Sequence, residues 1–162
     1  MENKNYLYHY LAITLLFCFF NTNTYAQSDD CATAPPLTVS TTGCVSTSST
    51  NVGSTSGNAA SGGSPTCASG AGRQDVWYRF VASNATTTIE TEAGAIGAIG
   101  DTGIQLYSTI DGTCNNLASM ECNDDGGAGL YSRIARNDLI IGQTYYVRIW
   151  KYGGGTGTFG IC

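Results

Sequence analysis

Large apolar side chains alternate with polar ones along most of the chain after residue 72, and this period of two is typical of β-strands. Residues 75–81 place large side chains on both faces, and residues 86–92 alternate Thr with Ile and Glu as a half-buried strand does. The same pattern predicts further strands at residues 104–108, 117–122, 131–136, 144–150 and 157–162. Each is bounded by glycine or by an Asp/Asn-Gly turn signal.

No segment keeps a helical period for three turns, and the strong helix formers Lys, Glu and Leu are scarce. Several short strands at regular spacing predict an all-β fold, an antiparallel two-sheet β-sandwich with about seven or eight strands. Alternation assigns one set of side chains to the interior. This set is Val76, Tyr78, Phe80, Ile89, Ile104, Leu106, Ile134, Tyr145, Val147, Ile149 and Phe159.

Residues 38–72 are rich in Ser, Thr, Gly, Asn and Ala and hold little that a core could bury. This composition predicts a loop region, with two short strands near residues 37–40 and 44–48. We interpret it as a tethered loop and not as a binding site.

The first 26 residues have the pattern of a cleavable signal peptide, with Lys4, an apolar run at residues 11–20 and Ala26 before the cleavage point. The run is too short to span a bilayer, and residues 27–162 hold no second apolar stretch that could. They have the length of a single domain. We therefore expect a secreted or outer-surface protein with no transmembrane segment in the mature chain.

Removal of the signal peptide takes away Cys18 and leaves an even number of cysteines, which in an exported chain predicts three disulfides. The Asp111-Gly112 turn signal and the short segment between them favour a Cys114–Cys122 pair. The remaining cysteines are then expected to pair as Cys44–Cys67 and Cys31–Cys162. A zinc site is disfavoured, because the only histidine is His9 in the signal peptide and no CxxC-like pair occurs.

The charge and the missing side chains exclude several functions. The formal net charge is −5 and the basic residues form no run, so nucleic acid is not an expected partner. Without a histidine in the mature chain, Ser-His and Cys-His catalysis is excluded. A Ser-Lys dyad would need Lys151, which we place at a strand end in solvent. A glycosidase-like carboxylate pair would have to come from Glu90, Glu92, Asp101 or Asp124, and we expect no enzyme activity.

Two acidic loops form a candidate calcium site. Asp124 and Asp125 lie in a glycine-rich loop, and Asp101 precedes another strand. If the sandwich brings both loops to one end, three carboxylates meet, and Ca²⁺ prefers such oxygen ligands. Like charges this close repel, so an ion or a basic neighbour is required, and Arg73 or Arg133 is an alternative to the ion. The other interpretation is a plain turn, in which the Asp side chains cap backbone amides.

Four aromatic residues are candidates for a ligand-binding platform on which a sugar ring or a peptide could lie. They are Trp150, Tyr152, Tyr107 and Tyr131. The alternative is core packing, because a two-layer sandwich buries aromatic side chains as well. The pattern does not decide between the two for Trp150 and Tyr152, whereas Trp77, Tyr78 and Phe80 are assigned mostly to the core.

The order of several short motifs resembles the bacterial pre-peptidase C-terminal (PPC)-type domains and their relatives. These motifs are DDCATA at 29–34, DVWYRF at 75–80, DTGIQLY at 101–107, CNDDG at 122–126 and LIIGQTYYVRI at 139–149. The resemblance implies a small jelly-roll-like accessory domain without chemistry of its own, joined to other domains in secreted multidomain surface proteins. It also implies that the chain is the N-terminal part of a longer protein.

Two functions remain open from the sequence. The first is a non-catalytic extracellular accessory or adhesion module that binds protein or carbohydrate. The second is a structural spacer attached to a secreted peptidase or another hydrolase. A binding module should show aromatic side chains exposed together on one face, and a spacer should not.

Overall fold

The computed structural model describes residues 28–55, 63–67 and 74–162, so the predicted signal peptide and parts of the predicted loop at 38–72 lie outside the described residues. The described chain forms β1 (Thr47–Thr50), β2 (Val76–Val81), β3 (Thr87–Ala93), β4 (Thr102–Thr109), β5 (Leu117–Asn123), β6 (Arg133–Arg136), β7 (Thr144–Lys151) and β8 (Thr158–Ile161). Two short 3₁₀ turns occupy Cys31–Thr33 and Cys114–Asn116. The strand predicted at 44–48 begins later, as β1, and residues 37–40 form none.

The strands form two four-stranded antiparallel sheets, which confirms the predicted sandwich. One sheet has the order β1-β8-β3-β6 and the other the order β2-β7-β4-β5. The second sheet contains the two longest strands, β4 and β7, side by side, with Ile104 opposite Ile149 and Leu106 opposite Val147. Because directly opposed residues point to the same face, each such pair presents two apolar side chains to the other sheet.

The predicted interior set is buried in one cluster between the sheets. The β2-β7-β4-β5 sheet contributes Val76, Tyr78 and Phe80 with their partners on β7 and β4, and the facing sheet contributes Ile89, Ile134 and Phe159. The strands alternate with a period of two, so every second side chain points inward, and the pattern visible in the sequence was enough to identify them.

The outer face of the β2-β7-β4-β5 sheet is buried as well, which the alternation did not predict. Trp77, Tyr107 and Tyr146 lie on this face in a second apolar cluster with Cys31 and Cys114. The N-terminal segment runs over them. The amide of Trp77 donates to the carbonyl of Ser28 at 2.8 Å, which fixes the covering segment to β2.

A buried ion pair lies beside these aromatic residues. The Arg148 guanidinium donates to one carboxylate oxygen of Asp75 through Nε and Nη2, and it lies over the Trp77 ring at 5.2 Å from the ring centroid. Its Nη1 donates to the carbonyl of Gly63 at 3.2 Å. Burial raises the pKa of Asp75, whereas the charge and hydrogen bonds of Arg148 act in the opposite direction. A buried pair of this kind makes loss of either partner costly, since the other charge stays behind unpaired.

Trp150 packs on the same outer face, directly over Gly103, its register partner on β4. A Cβ added at Gly103 would lie 2.4 Å from ring atoms of Trp150. The indole therefore uses the space that a side chain at Gly103 would fill, and Trp150 is only 1% exposed.

The described cysteines form three disulfides, as predicted, but all three predicted pairings are wrong. The bridges are Cys31–Cys114, Cys44–Cys162 and Cys67–Cys122, with Cα–Cα distances of 5.9, 5.3 and 5.6 Å. Each connects segments that are distant in sequence. The first fixes the N-terminal segment over the outer sheet face, the second joins the start of the β1 region to the end of β8, and the third holds residues 63–67 against β5.

Geometry explains why the predicted pairs do not form. The turn at Gly112 exists, but Cys114 lies in that turn whereas Cys122 lies near the far end of β5. The extended residues 117–122 alone span about 16 Å, which is beyond disulfide reach. Cys44 and Cys162 lie in one sheet region, next to β1 and β8. Cys31 and Cys67 lie against the other sheet, so neither Cys44–Cys67 nor Cys31–Cys162 is within reach.

We predict that non-reducing peptide mapping recovers the three observed pairs. Because the Cys44–Cys162 bridge closes a loop with a sequence separation of 118, its removal in Cys44→Ala/Cys162→Ala should lower the free energy of unfolding by about 5 kcal/mol in the chain-entropy model. The matched variant Cys67→Ala/Cys122→Ala opens a shorter loop and should lose about 0.7 kcal/mol less. A peptide linking Cys114 to Cys122 would contradict this connectivity.

The contact between Trp150 and Gly103 gives a second prediction. Gly103→Ala forces the indole out of its position and should lower the free energy of unfolding by about 1–3 kcal/mol, measured by denaturant titration. Gly100→Ala is the control, since a Cβ at Gly100 meets nothing within 4 Å, and it should change stability by less than about 0.5 kcal/mol. Equal effects of the two substitutions would rule out this packing.

Candidate metal centre

The pairing of β4 with β5 brings the two predicted acidic loops together. Asp101 directly precedes β4, and Asp124 and Asp125 directly follow β5. The two strands are antiparallel with Ile104 opposite Asn123, so the start of one and the end of the other lie at the same end of the sheet. The predicted convergence of these loops is therefore present in the fold.

The three carboxylates approach one another closely. One oxygen each from Asp101, Asp124 and Asp125 lies within 4.8 Å of the other two. Ca²⁺ binds oxygens at 2.3–2.6 Å, so two ligands on opposite sides of the ion are about 5 Å apart, and the spacing fits a shared ion. The Oδ1 atoms of Asp101 and Asp124 are shielded from solvent and have no hydrogen-bond partner. A bound cation would supply what these two oxygens lack.

The electrostatics of the cluster are unfavourable when it is metal-free. Burial raises the pKa of Asp124, and the negative charges of Asp125 and Asp101 raise it further. Burial and the charge of Asp125 likewise raise the pKa of Asp101, whereas Lys151 opposes this change. Carboxylates with raised pKa values are destabilised in their charged form, which a cation would relieve.

A basic neighbour of the cluster is Lys151, for which the sequence predicts a position in solvent. Lys151 is the register partner of Thr102, next to Asp101, and its side chain is half-buried. Arg133, proposed as an alternative to the ion, instead forms an ion pair with Glu90 at 2.8 Å. Arg73, the other alternative, lies outside the described residues.

The acidic loop after β5 does form a turn, as the second interpretation predicts. The side chain that caps its backbone amides, however, is Asn123 and not Asp124 or Asp125. Oδ1 of Asn123 accepts from the amides of Gly126 at 2.8 Å and Arg133 at 2.9 Å. The hydroxyl of Ser132 donates to the carbonyl of Asp124 at 2.8 Å. Asn123 therefore holds the loop, and the carboxylate of Asp124 turns toward the cluster.

A second group of potential ligands, Cys44, Glu90 and Cys162, also lies within 4.8 Å. It is not a metal site in the oxidised protein, because the two sulfurs are bonded to each other and no thiolate remains to bind an ion.

The predicted aromatic platform does not exist as an exposed surface. Tyr107 and Trp150 are 0% and 1% exposed, so their assignment as ligand-binding residues is wrong. Tyr107 packs against Trp77 with ring centroids 5.4 Å apart. Tyr131 is half-buried and donates its hydroxyl to the carbonyl of Ile99 at 2.8 Å. Of the four candidates, Tyr152 alone is well exposed, at 43%. The outer sheet face is covered, which explains the burial of Tyr107 and Trp150.

Comparison of the chain with protein-family models, with curated proteins and with solved structures gives no match. The resemblance to PPC-type domains therefore stays a proposal. Within residues 28–55, 63–67 and 74–162, no helix is long and apolar enough to cross a membrane.

The raised pKa values predict the pH dependence of the metal-free protein. For a carboxylate whose pKa is higher in the folded state than in the unfolded state, the destabilisation is complete above the folded pKa and disappears below the ordinary pKa of about 4. In the presence of a chelator, Asp124→Asn should therefore raise Tm at pH 7 by about 2 °C. This gain should vanish near pH 3, as thermal unfolding across the pH range would measure.

Asp111→Asn is the control, because hydrogen bonds from Thr113 and Asn116 lower the pKa of Asp111 in the folded state. That carboxylate contributes stability at neutral pH that is lost as the pH falls, so its removal should lower Tm at pH 7. If Asp124→Asn left Tm at pH 7 unchanged or lowered it as Asp111→Asn does, the proposed repulsion at the Asp101 cluster would be absent.

Proposed function

We propose that the chain is a non-catalytic extracellular accessory or adhesion module of a secreted or cell-surface protein, and that Ca²⁺ stabilises it at Asp101, Asp124 and Asp125. The observation that carries the calcium proposal is the convergence of three carboxylates around two buried, unpartnered oxygens. Export, which the disulfides and the signal-peptide pattern support, would place the site in a medium where millimolar calcium can occupy a weak site.

The side chains that could take part in catalysis have other partners. Glu90 is neutralised by Arg133, and Lys151 lies at the acidic cluster. Asp101 and Asp124 lie in one acidic cluster with Asp125, where one oxygen of each carboxylate is within 4.8 Å of the other two. These contacts support a binding or structural role over hydrolysis.

Within the accessory role, the burial of Tyr107 and Trp150 favours protein as the ligand over carbohydrate. Sugar-binding surfaces use exposed aromatic rings, and Tyr152 is a single ring beside Lys151. The same observation favours the spacer over a module that binds through an aromatic platform, since a spacer requires no exposed platform. The PPC-type resemblance accommodates both roles, and in both the module is attached to other domains.

Calcium titration of the oxidised protein tests the proposed ion. An ion that binds only the folded state stabilises it by about 1.4 kcal/mol at a tenfold excess over Kd, which should raise Tm by about 4 °C or more. Calorimetry should give one site, and Asp124→Asn/Asp125→Asn should abolish both effects. Glu92→Gln is the matched control, an exposed carboxylate outside the cluster, and should leave both unchanged. No change in the Tm of the unsubstituted protein at millimolar calcium would exclude the site.

A further inference from the structure

A pocket of about 350 Å³ lies on the outer face of the β2-β7-β4-β5 sheet, beside the N-terminal segment that covers this face. Its floor contains Arg79 and Tyr146, which are register partners on β2 and β7. Residues 32–34 form one wall, and residues 112–115 form the other. Ligand-binding clefts start at about 300 Å³, so the pocket is large enough to hold a small chemical group.

Covalent and hydrogen bonds fix the shape of this pocket. The Cys31–Cys114 disulfide joins the two walls. The hydroxyl of Tyr146 donates to the carbonyl of Gly112 at 3.1 Å, which holds the floor against one wall. Burial raises the pKa of Tyr146, whereas the positive charge of Arg79 lowers it, because the guanidinium lies near the hydroxyl. The pocket therefore needs little rearrangement to receive a ligand, which favours affinity.

The charge of Arg79 has no carboxylate partner among the described residues. The other described arginines each have a carboxylate oxygen within 4.0 Å, namely Arg133, Arg136 and Arg148. Nε of Arg79 instead donates to the carbonyl of Ala34 at 3.0 Å, which anchors the guanidinium to the second wall. A guanidinium carries five N–H donors, and the anchor uses the one on Nε. The paired donors of Nη1 and Nη2 remain for a ligand.

The surroundings of Arg79 do not neutralise it. None of the described residues that line the pocket is acidic. Asp111 lies in the adjoining turn, but its carboxylate accepts from the amide and hydroxyl of Thr113 and from the side chain of Asn116. These hydrogen bonds lower the pKa of Asp111 and hold it in the turn. The side-chain amide of Asn115, in contrast, is exposed and makes no hydrogen bond within the described chain. It is a further free donor at the pocket.

The free donors define the chemistry of the ligand. Two parallel N–H groups at the end of a guanidinium match the two oxygens of a carboxylate, and such charge-assisted pairs are stronger than neutral hydrogen bonds. The side-chain NH₂ of Asn115 adds another donor for the same oxygens. Tyr146 and Ala32 line the pocket with apolar atoms, which can contact the carbon atoms that carry the carboxylate. The pocket is thus complementary to a carboxylate on a short aliphatic stem.

We propose that this pocket binds a carboxylate group of a partner protein, with Arg79 as the paired donor and Asn115 as a second donor. A C-terminal carboxylate and an Asp or Glu side chain share this chemistry. The inference rests on the proposed protein-binding role and names the group by which the partner would be recognised. The pocket lies beside the turn between β4 and β5, whereas Asp101 and Asp124 lie at the other end of these strands, so binding should not require calcium.

The test is an NMR titration of the oxidised protein, in the presence of a chelator, with two synthetic peptides. One is acetyl-Ala-Ala-Ala with a free C-terminal carboxylate, and the other is acetyl-Ala-Asp-Ala-amide. At least one of them should bind with a Kd below about 10 mM and should shift the side-chain signals of Arg79 and Asn115. The tighter of the two identifies the source of the carboxylate. Acetyl-Ala-Ala-Ala-amide, which has no carboxylate, is the control and should not bind.

Three results of the titration would overturn the proposal. The first is equal binding of the control peptide. The second is the lack of a saturable shift at Arg79 and Asn115 with both carboxylate peptides below about 10 mM. The third is tighter binding of inorganic phosphate than of either peptide, which would assign the pocket to a phosphate group instead.

Substitutions of Arg79 locate the binding on the protein. Arg79→Gln removes the charge and the paired donors, so it should weaken binding by about tenfold or more. Arg79→Lys keeps the charge without the paired donors and should give an affinity between those of Arg79→Gln and the unsubstituted protein. Arg133→Gln is the matched control, since Arg133 is paired with Glu90 outside the pocket, and it should leave peptide binding unchanged. Unchanged binding by Arg79→Gln would contradict the site.

A variant of Asn115 keeps the test decisive if Arg79→Gln fails to fold. Asn115→Asp places a negative charge at the pocket without touching a hydrogen bond of that side chain, so it should weaken peptide binding by about tenfold or more. Asn137→Asp makes the same charge change at an exposed position that does not line the pocket, and binding should be retained. Equal effects of the two substitutions would rule out a local contact with Asn115.

The calcium titration separates this inference from the proposed ion. Carboxylate binding in the presence of chelator, without a calcium effect on Tm, would leave the pocket standing while the calcium site fails. A calcium effect on Tm without carboxylate binding would do the opposite.

Discussion

The sheet β2-β7-β4-β5 is buried on both faces, and much of the rest of the chain covers it. Its inner face packs on the other sheet in the ordinary way. Its outer face carries Trp77, Tyr107 and Trp150, which would be costly to leave in water. No helix or third sheet of the described chain lies over this face. Segments with almost no regular secondary structure cover it instead, namely the N-terminal residues and the segment that ends at Cys67.

Covering segments of this kind contribute little packing of their own, and the disulfides compensate for that. Cys31–Cys114 holds the N-terminal segment against the outer face, and Cys67–Cys122 holds the segment that includes Gly63, the acceptor of Arg148. The buried Asp75–Arg148 pair is possible because these segments exclude water while supplying a backbone partner. The disulfides thus hold the covering segments in place, and the buried ion pair depends on those segments to exclude water.

The sequence was sufficient for the strands and for the inner core, because a period of two determines which side chains share a face. It was insufficient for the outer face. In β2 both Trp77 and Tyr78 are large, and alternation alone does not tell an exposed aromatic residue from one beneath a loop. The cysteine pairing failed for a related reason. Proximity in sequence favoured Cys114 with Cys122, but an extended strand separates them, and the correct partners depend on which non-consecutive strands are neighbours.

The acidic cluster was predictable because hairpin-like pairing of consecutive strands brings the start of β4 to the end of β5. The residues around it were harder to assign. Lys151 comes from β7, whose position beside β4 depends on the long-range topology, and the cap from Asn123 required the conformation of the loop.

The connectivity of the bridges also determines how the domain transmits force. A pull applied between Cys31 and Cys162 does not have to be carried by the whole chain, because the Cys44–Cys162 bridge makes a covalent shortcut. Only the 13 peptide steps from Cys31 to Cys44 separate the loaded points. Fully extended, they reach about 45 Å, whatever happens to the strands. As long as the disulfides stay oxidised, a load along this path therefore lengthens the module only up to this limit and does not draw out its sheets.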